Sequence, residues 1–465
     1  MMRSLFSGVA GLRTHQTRMD VIGNNIANVN TTAYKSQSMT FNDLMYQTTR
    51  AASGANAVTG VGGVNARQIG LGSKTGAIKT AISEPGSAQS TNDPFDIMIS
   101  GDSFFIVSNG SENFFTRDGS FYIDGAGNLA MTSNGYNVMG WVPDETNPAN
   151  IKRDTVQALR IMNQENMQYP PAATEQAVVS GSVDKYDTDI NSKDGKLMNL
   201  EIYDDQGYKY TVRMSVHAVQ PTGTPPTGGS DHGQFTVQVD DILDVNGKSI
   251  LGETDAEKAA ADVKFGGAAI GTGIPLEYVD GKGTFSKVGA TADQKTAELT
   301  FGTAFPSFHN ITIDFSTTTN YNVNKVSTLN AEKGGLDRGI GSGRPVGDLS
   351  GITVQKDGMI YLDYDNGQTK LVGQIAVANF ANPSGLAKEG DNLYSATMNS
   401  GEFNGIGDDV TEGGGYMESG VLEMSNVDLS SEFTQMITTQ RGFQANSRII
   451  TVSDTLLEEL TNLKR

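Results

Sequence analysis

Apolar residues recur at helical spacing at both ends of this 465-residue chain and almost nowhere in the long stretch between them. Near the start, Leu5, Val9, Leu12, Met19, Ile22, Ile26 and Val29 are separated by three, four or seven positions, which places them on one stripe of a helix. Arg3, Thr14, His15, Gln16, Arg18 and Asp20 occupy the other faces. Gly8 and Gly11 interrupt the pattern; each costs about 1 kcal/mol against alanine in a helix, so this helix depends on a partner. It runs into "NNIANVNTTAYKS", where Asn28, Asn30, Thr31 and Thr32 offer side-chain-to-backbone bonds that end a helix and turn the chain. At the far end, Met436, Phe443, Ile450 and Leu457 recur by seven, and Ile449, Leu456 and Leu463 form a second row by seven beside them. Two adjacent rows predict a broad apolar face that meets more than one neighbour. Asp428 or Ser430 is placed to cap this helix, with Glu432 in its first turn.

The middle has the texture of β-structure. Residues 93 to 141 string short β-branched and aromatic runs between Gly, Asn and Asp turns, and residues 352 to 380 return to that rhythm, as expected of a sheet-rich domain. The separation of these two segments predicts an insertion between them. Within it, "ETDAEKAAADVKF" is the single helical candidate, and the Pro/Gly/Thr-rich run at 220–235 reads as a surface loop between strands. The Gly-rich run at 339–347 reads as a flexible linker, since it matches neither a dinucleotide fingerprint nor a phosphate loop.

Composition narrows the function classes. The formal net charge is -19 and the sequence pI is near 4.6, which opposes non-specific nucleic-acid binding, where a basic stripe must displace counterions. The absence of cysteine removes disulfides, thiolate metal sites and thiol nucleophiles together; it suits a chain that crosses unfolded into an oxidising space, and it equally arises by chance. No apolar run reaches the roughly 18 residues of a membrane span, and the start lacks the pattern of a cleaved secretory signal. The chain is therefore expected to be cytosolic, or exported by a route that reads no cleaved signal, without membrane insertion.

Little in the sequence carries chemistry. His15, His217, His232 and His309 lie in unrelated contexts, none paired at metal-ligand spacing. Asp187, Asp189 and Asn191 imitate the opening of a calcium loop, but Ser192 stands where the glycine belongs and Met198 where the bidentate glutamate does; a solvated turn is expected. No catalytic, cofactor or metal residue is predicted.

The segments "MDVIGNNIANVNTTAYK" and "ESGVLEMSNVDLSSEFTQMITTQRGFQANSRIITVSDTLLEEL" resemble the N- and C-terminal signatures of the bacterial flagellar rod and hook axial proteins. "DPFDIMISGDSFFIV", "FTRDGSFYIDGAGNL" and "GQIAVANFANPSGLAKEGDNLYSAT" are similar to β-domain segments of the hook and distal-rod branch. The resemblance implies a mainly β multidomain chain with α-helical termini and nested β-domains, the terminal helices pairing into a coiled-coil inner domain. On that expectation residues 1–30 with 428–465 form the inner-tube domain and 31–72 a linker region. Residues 73–180 with 341–427 form a discontinuous β-domain, and 181–340 an inserted outer β-domain of one or two subdomains.

The implied role is structural, with no enzyme activity and no cofactor. The chain would be a subunit of the flagellar hook, a flexible tubular polymer that transmits torque as a universal joint. Its implied partners are copies of itself, the hook cap, the distal rod and hook–filament junction proteins, and the type III export apparatus. Its place would be the hook or basal body, extracellular or, in a spirochaete, periplasmic. By resemblance, Asn24, Asn25, Ala27, Asn28 and Thr31 belong to the inner helix and its exit turn. Gln440, Arg441, Phe443, Gln444, Ala445 and Asn446 belong to the C-terminal signature, with Phe443 a packing anchor and Arg441 pairing between subunits. Together with Leu5, Val9, Leu12, Met19, Ile22, Ile26, Phe433, Met436, Ile450 and Leu457 these are the expected assembly residues. Ala33 departs from the signature, which more commonly has glycine there; if the position needs positive φ, alanine costs about 1 kcal/mol or more. The cysteine-derived crosslink of some spirochaete hooks has no support here. A distal rod protein is the alternative within the family, disfavoured by the large insertion. An extracellular β-rich binding protein or hydrolase is the remote one, and leaves both terminal signatures unexplained.

Overall fold

The computed structural model describes residues 2–54, 60, 62–144, 146–219, 234–279, 281–337 and 340–463. The loop expected at 220–235 lies outside them as far as residue 233, and so does His232. The chain divides into two compact units. The first comprises Met1–Asn163, Gly351–Asp363 and Thr369–Arg465; the second comprises Gln164–Ser350 and Tyr364–Gln368.

In the first unit, helix α1 (Met2–Ala27) opens the chain and a C-terminal helix (Leu429–Asn462) closes it. Asp428 caps the latter, its carboxylate accepting from Ser430 N. Residues 31–72, expected as a linker, contain strands. Gln37–Asp43 pairs antiparallel with Ser73–Thr80, and Tyr46–Arg50 with Arg67–Gly70. This ribbon is largely exposed along its length. Phe41 from it meets α1: its ring lies 5.4 Å from that of His15 and under the Arg18 guanidinium.

The two segments of shared β rhythm lie in one sheet. Thr369–Ile375 pairs with Asn137–Trp141, which pairs with Phe104–Ser108, then Asn113–Thr116 and Leu393–Ser395. Strand Phe104–Ser108 is buried throughout. Its Phe104 and Ile106 join Phe115, Trp141, Ala376 and Tyr394 in a core, where Phe115 and Phe380 meet edge to face at 4.7 Å. The Trp141 indole N–H donates to the carbonyls of Asp154 and Ile406, as a buried indole requires. Two further ladders, Ala88–Ser90 with Val421–Glu423 and Ile97–Ser100 with Tyr416–Ser419, lead the chain toward the C-terminal helix.

The second unit contains two sheets that share one hydrophobic core. One sheet is the antiparallel run Lys196–Tyr203, Lys209–Ala218, Gln234–Leu243, Ile274–Tyr278 and Phe285–Val288. The other includes Gln176–Ser182 parallel to Ile311–Thr319. Alternating burial along Gln234–Leu243 and Ile311–Thr319 is the period-two pattern of strands with one face on a core. Helix α2 (Asp255–Ala260) forms at the expected helical candidate, closed by a capping box between Thr254 and Glu257. The Gly-rich run expected as a linker at 339–347 includes a strand instead. Ser342–Arg344 pairs with Ala172–Thr174, because Gly341 and Gly343 take positive φ and let the backbone come close to Gln176 and Thr174.

Candidate assembly site on the terminal helices

Helices α1 and α3 (Leu429–Asn462) pack antiparallel. Asn25 on α1 bonds Glu432 on α3, while Arg18 bonds Gln435. Farther along, His15 sits over Gly442 and Asn446 over Gly11. A Cβ at Gly11 would lie 2.8 Å from Asn446 Nδ2, and one at Gly442 would lie 2.7 Å from His15 Cε1. Each helix thus supplies a glycine hole and, four residues on, the side chain that fills its partner's hole. Gly11, which weakens α1 alone, is what seats α3 against it. With 34 residues against 26, α3 runs past the start of α1; at roughly 1.5 Å per residue the two measure about 51 and 39 Å.

The interface between them is unusually polar. Asn25 is fully buried; its Nδ2 donates to Gln37 O and Glu432 Oε1, and its Oδ1 accepts from Gln37 N and Tyr34 OH. Burial raises the Glu432 carboxyl above its ordinary range, against the pull of the Asn25 amide and the Arg18 charge. His15 is pushed the other way, its imidazole lowered by burial and then by Arg18. His15 Nδ1, Glu432 Oε2 and Thr439 Oγ1 are buried without a partner.

The two heptad rows of α3 have different fates. In the first, Met436, Phe443, Ile450 and Leu457 are each partly buried. In the second, Ile449, Leu456 and Leu463 are joined by Val452 and Leu460 in a stripe whose exposure runs from 43% to 82%. Of the other expected assembly residues, Ile22 and Asn25 are buried. Leu5, Val9, Leu12, Met19, Ile26, Asn28, Thr31 and Asn446 are partly buried, and Asn24, Ala27, Phe433, Gln440, Arg441, Gln444 and Ala445 are exposed. Asn28 lies in the exit turn, where its Nδ2 donates to Asn24 O and its Oδ1 accepts from Thr31 Oγ1.

Beyond that turn lies a cluster that sequence reasoning missed. The Lys35 ammonium is buried 2.7 Å from Glu423 Oε1 and donates to Glu84 O; Arg117 lies 3.8 Å from Glu423 Oε2 and donates to the carbonyls of Ile99 and Gly101. Burial lowers both cations, against the attraction of Glu423. Asn426 completes the joint, accepting from Ser36 N and donating to Ala81 O and Glu84 O. Lys35 and Glu423 stand inside the two signatures, and their only signal was a charge within a long motif.

The remaining histidines and the calcium-like loop stand apart. His217 lies against Gly195 and Ser215; His309 bridges Glu175 and Asp205. The Asp187 carboxylate accepts from the backbone N–H groups of Ser327 and Asp189.

Comparison with known proteins follows the same geography. Residues 5–35 match the family described as "Flagella basal body rod protein", residues 98–179 "Flagellar hook protein FlgE/F/G D1 domain", and residues 418–463 "Flagellar basal body rod FlgEFG protein C-terminal". The chain is 34% identical to the flagellar hook protein FlgE of Treponema pallidum and 34% identical to that of Borreliella burgdorferi, over the whole of each chain. It is 29% identical to the basal-body rod protein FlgG of Bacillus subtilis, again over the full length of both. Among solved structures it is similar to Helicobacter pylori FlgE2, at TM-score 0.45 and 14% identity, over 72% of this chain and 100% of that one. The two spirochaete hook proteins at 34% stand above the rod protein at 29%, and the chain belongs to the flagellar hook protein family as a structural subunit of the hook.

Proposed function

We propose that copies of this chain assemble into the tubular helical polymer of the hook through the exposed apolar stripe of α3. The observation that carries this reading is the second heptad row. Ile449, Val452, Leu456, Leu460 and Leu463 stand largely in solvent on a flank of the helix beside the face that α1 occupies, where Ile450 and the edge of Ile449 lie against Gly8. Covering what remains exposed would contribute about 1 kcal/mol per side chain, on the order of 5 kcal/mol per copy. A second copy is the natural cover, because the stripe repeats by seven as a coiled-coil seam does. The terminal helices, residues 1–30 with 428–465, then form the inner layer. Phe443 anchors packing near the seam, and exposed Arg441 pairs with a neighbouring copy.

In this role the chain works as a universal joint that carries torque around a bend. Its remaining partners are the hook cap, the distal rod, the hook–filament junction proteins and the type III export apparatus, and its place is extracellular, or periplasmic in a spirochaete. The test is sedimentation of the full chain under polymer-forming salt, beside Ile449→Asp/Leu456→Asp. The double variant is expected to stay in the supernatant with the β-domain unfolding transition unchanged. Polymer at the wild-type yield would remove the stripe from the assembly interface.

A further inference from the structure

In the second unit an open cleft of about 380 Å³ lies between three loop segments, lined by Lys185, Tyr186, Lys282, Asn320, Tyr321 and Asn322. Both tyrosines are half exposed, Tyr186 at 51% and Tyr321 at 50%. Their backbones are fastened from below. The buried Asp184 carboxylate accepts from the N–H groups of Tyr186, Val323 and Lys325, and Ser182 Oγ accepts from Tyr321 N. Burial works against the Asp184 charge, yet those backbone bonds hold its carboxyl below the ordinary range. Tyr321 rests against Gly283, where a Cβ would come within 2.9 Å of the ring and 2.3 Å of Asn320 O. The Lys185 ammonium stands 5.1 Å from the centre of the Tyr186 ring.

Two aromatic side chains on preorganised backbone, with amides and ammonium groups beside them, form a surface for a ligand with apolar faces and polar edges. A sugar ring has that character: its C–H faces pack on tyrosine and its hydroxyls meet asparagine. The cleft is also lined by Asp184, but its carboxylate is taken up by three backbone N–H groups; the two lysines outnumber it, and in a chain of net charge -19 they select locally for an anionic ligand where the surroundings repel one. We propose that this cleft binds an acidic saccharide, a short sugar chain bearing carboxylates. Lys185 and Lys282 meet the carboxylates, Tyr186 and Tyr321 the sugar faces, and Asn320 and Asn322 the hydroxyls.

The test is calorimetric titration of the full chain, kept monomeric at low salt, with hyaluronan tetrasaccharide. Neutral chitotetraose and a tetraglutamate peptide are titrated in parallel. Saturable binding of the acidic saccharide is expected, weakened about tenfold or more by Tyr186→Ala, by Tyr321→Ala and by Lys282→Glu. Each variant is first checked for wild-type thermal unfolding; Tyr186→Ala removes the more exposed ring and is the variant to read should Tyr321→Ala disturb the turn at Gly283. No binding, equal binding of tetraglutamate or of chitotetraose, or binding unchanged in Tyr186→Ala would each overturn the assignment. Assembly of the hook does not enter these readouts, so this proposal and the polymer reading fail separately.

Discussion

Ala33 adopts a φ of 55° and is buried in the turn that leaves α1, its N–H donating to Glu423 O. Left-handed backbone costs an alanine roughly 1–2 kcal/mol, so Ala33→Gly is expected to raise stability by about 0.5–1 kcal/mol after the extra chain entropy of glycine. Chemical denaturation would check it, and a loss of stability would mean that the buried methyl matters more than the backbone. Two residues on, Lys35 and Arg117 share a single buried carboxylate. Glu423→Gln leaves both cations in place without a buried counter-charge, the exposed Asp102 alone acting on them, for an expected loss of about 3–5 kcal/mol in the same measurement. At this scale the sequence was partly legible. The departure at Ala33 was visible because a resemblance supplied the expected glycine. The charge cluster was not, since its members come from positions 35, 117 and 423 and only the folded chain brings them together.

The helices were the most legible elements, because seven-residue spacing is a property of sequence alone. A cap at Asp428 or Ser430 and the two rows of α3 could be read directly; which of the two residues caps, and which row α1 would cover, could not, the latter because it depends on where the glycine holes lie. Gly11 and Gly442 give the interface its register, and a double-mutant cycle tests this. Gly11→Ala alone is expected to lower the thermal midpoint, since the new Cβ meets Asn446 and overpacking costs about 1–3 kcal/mol. In an Asn446→Ala background the same change should raise it, by up to about 1 kcal/mol of helix propensity. Additive effects would show that the two residues do not share a site. The ribbon of Gln37–Asp43 with Ser73–Thr80 was missed because its strands are mostly polar and, Met39 apart, largely exposed, so no regular alternation marks them. The strand Ser342–Arg344 was hidden for a related reason, glycine reading as flexibility where it serves close approach.

For the whole molecule, the two β segments that share a rhythm meet in one sheet, with Gly140 opposite Ile375, and the main part of the second unit, Gln164–Ser350, is inserted between them in sequence. That nesting was legible from texture, whereas the sharing of one core by two sheets was not, because periodicity carries no information about which faces meet. What the chain leaves unsatisfied is concentrated on α3, an apolar stripe that no part of the described chain covers, on a molecule whose net charge of -19 opposes association until salt screens it. The most direct test of this account is a helical reconstruction of the assembled polymer by cryo-electron microscopy. It should place Leu456, Leu460 and Leu463 against the terminal helices of neighbouring copies in the innermost layer; a polymer in which that stripe faces open solvent while only the β-domains touch would contradict it.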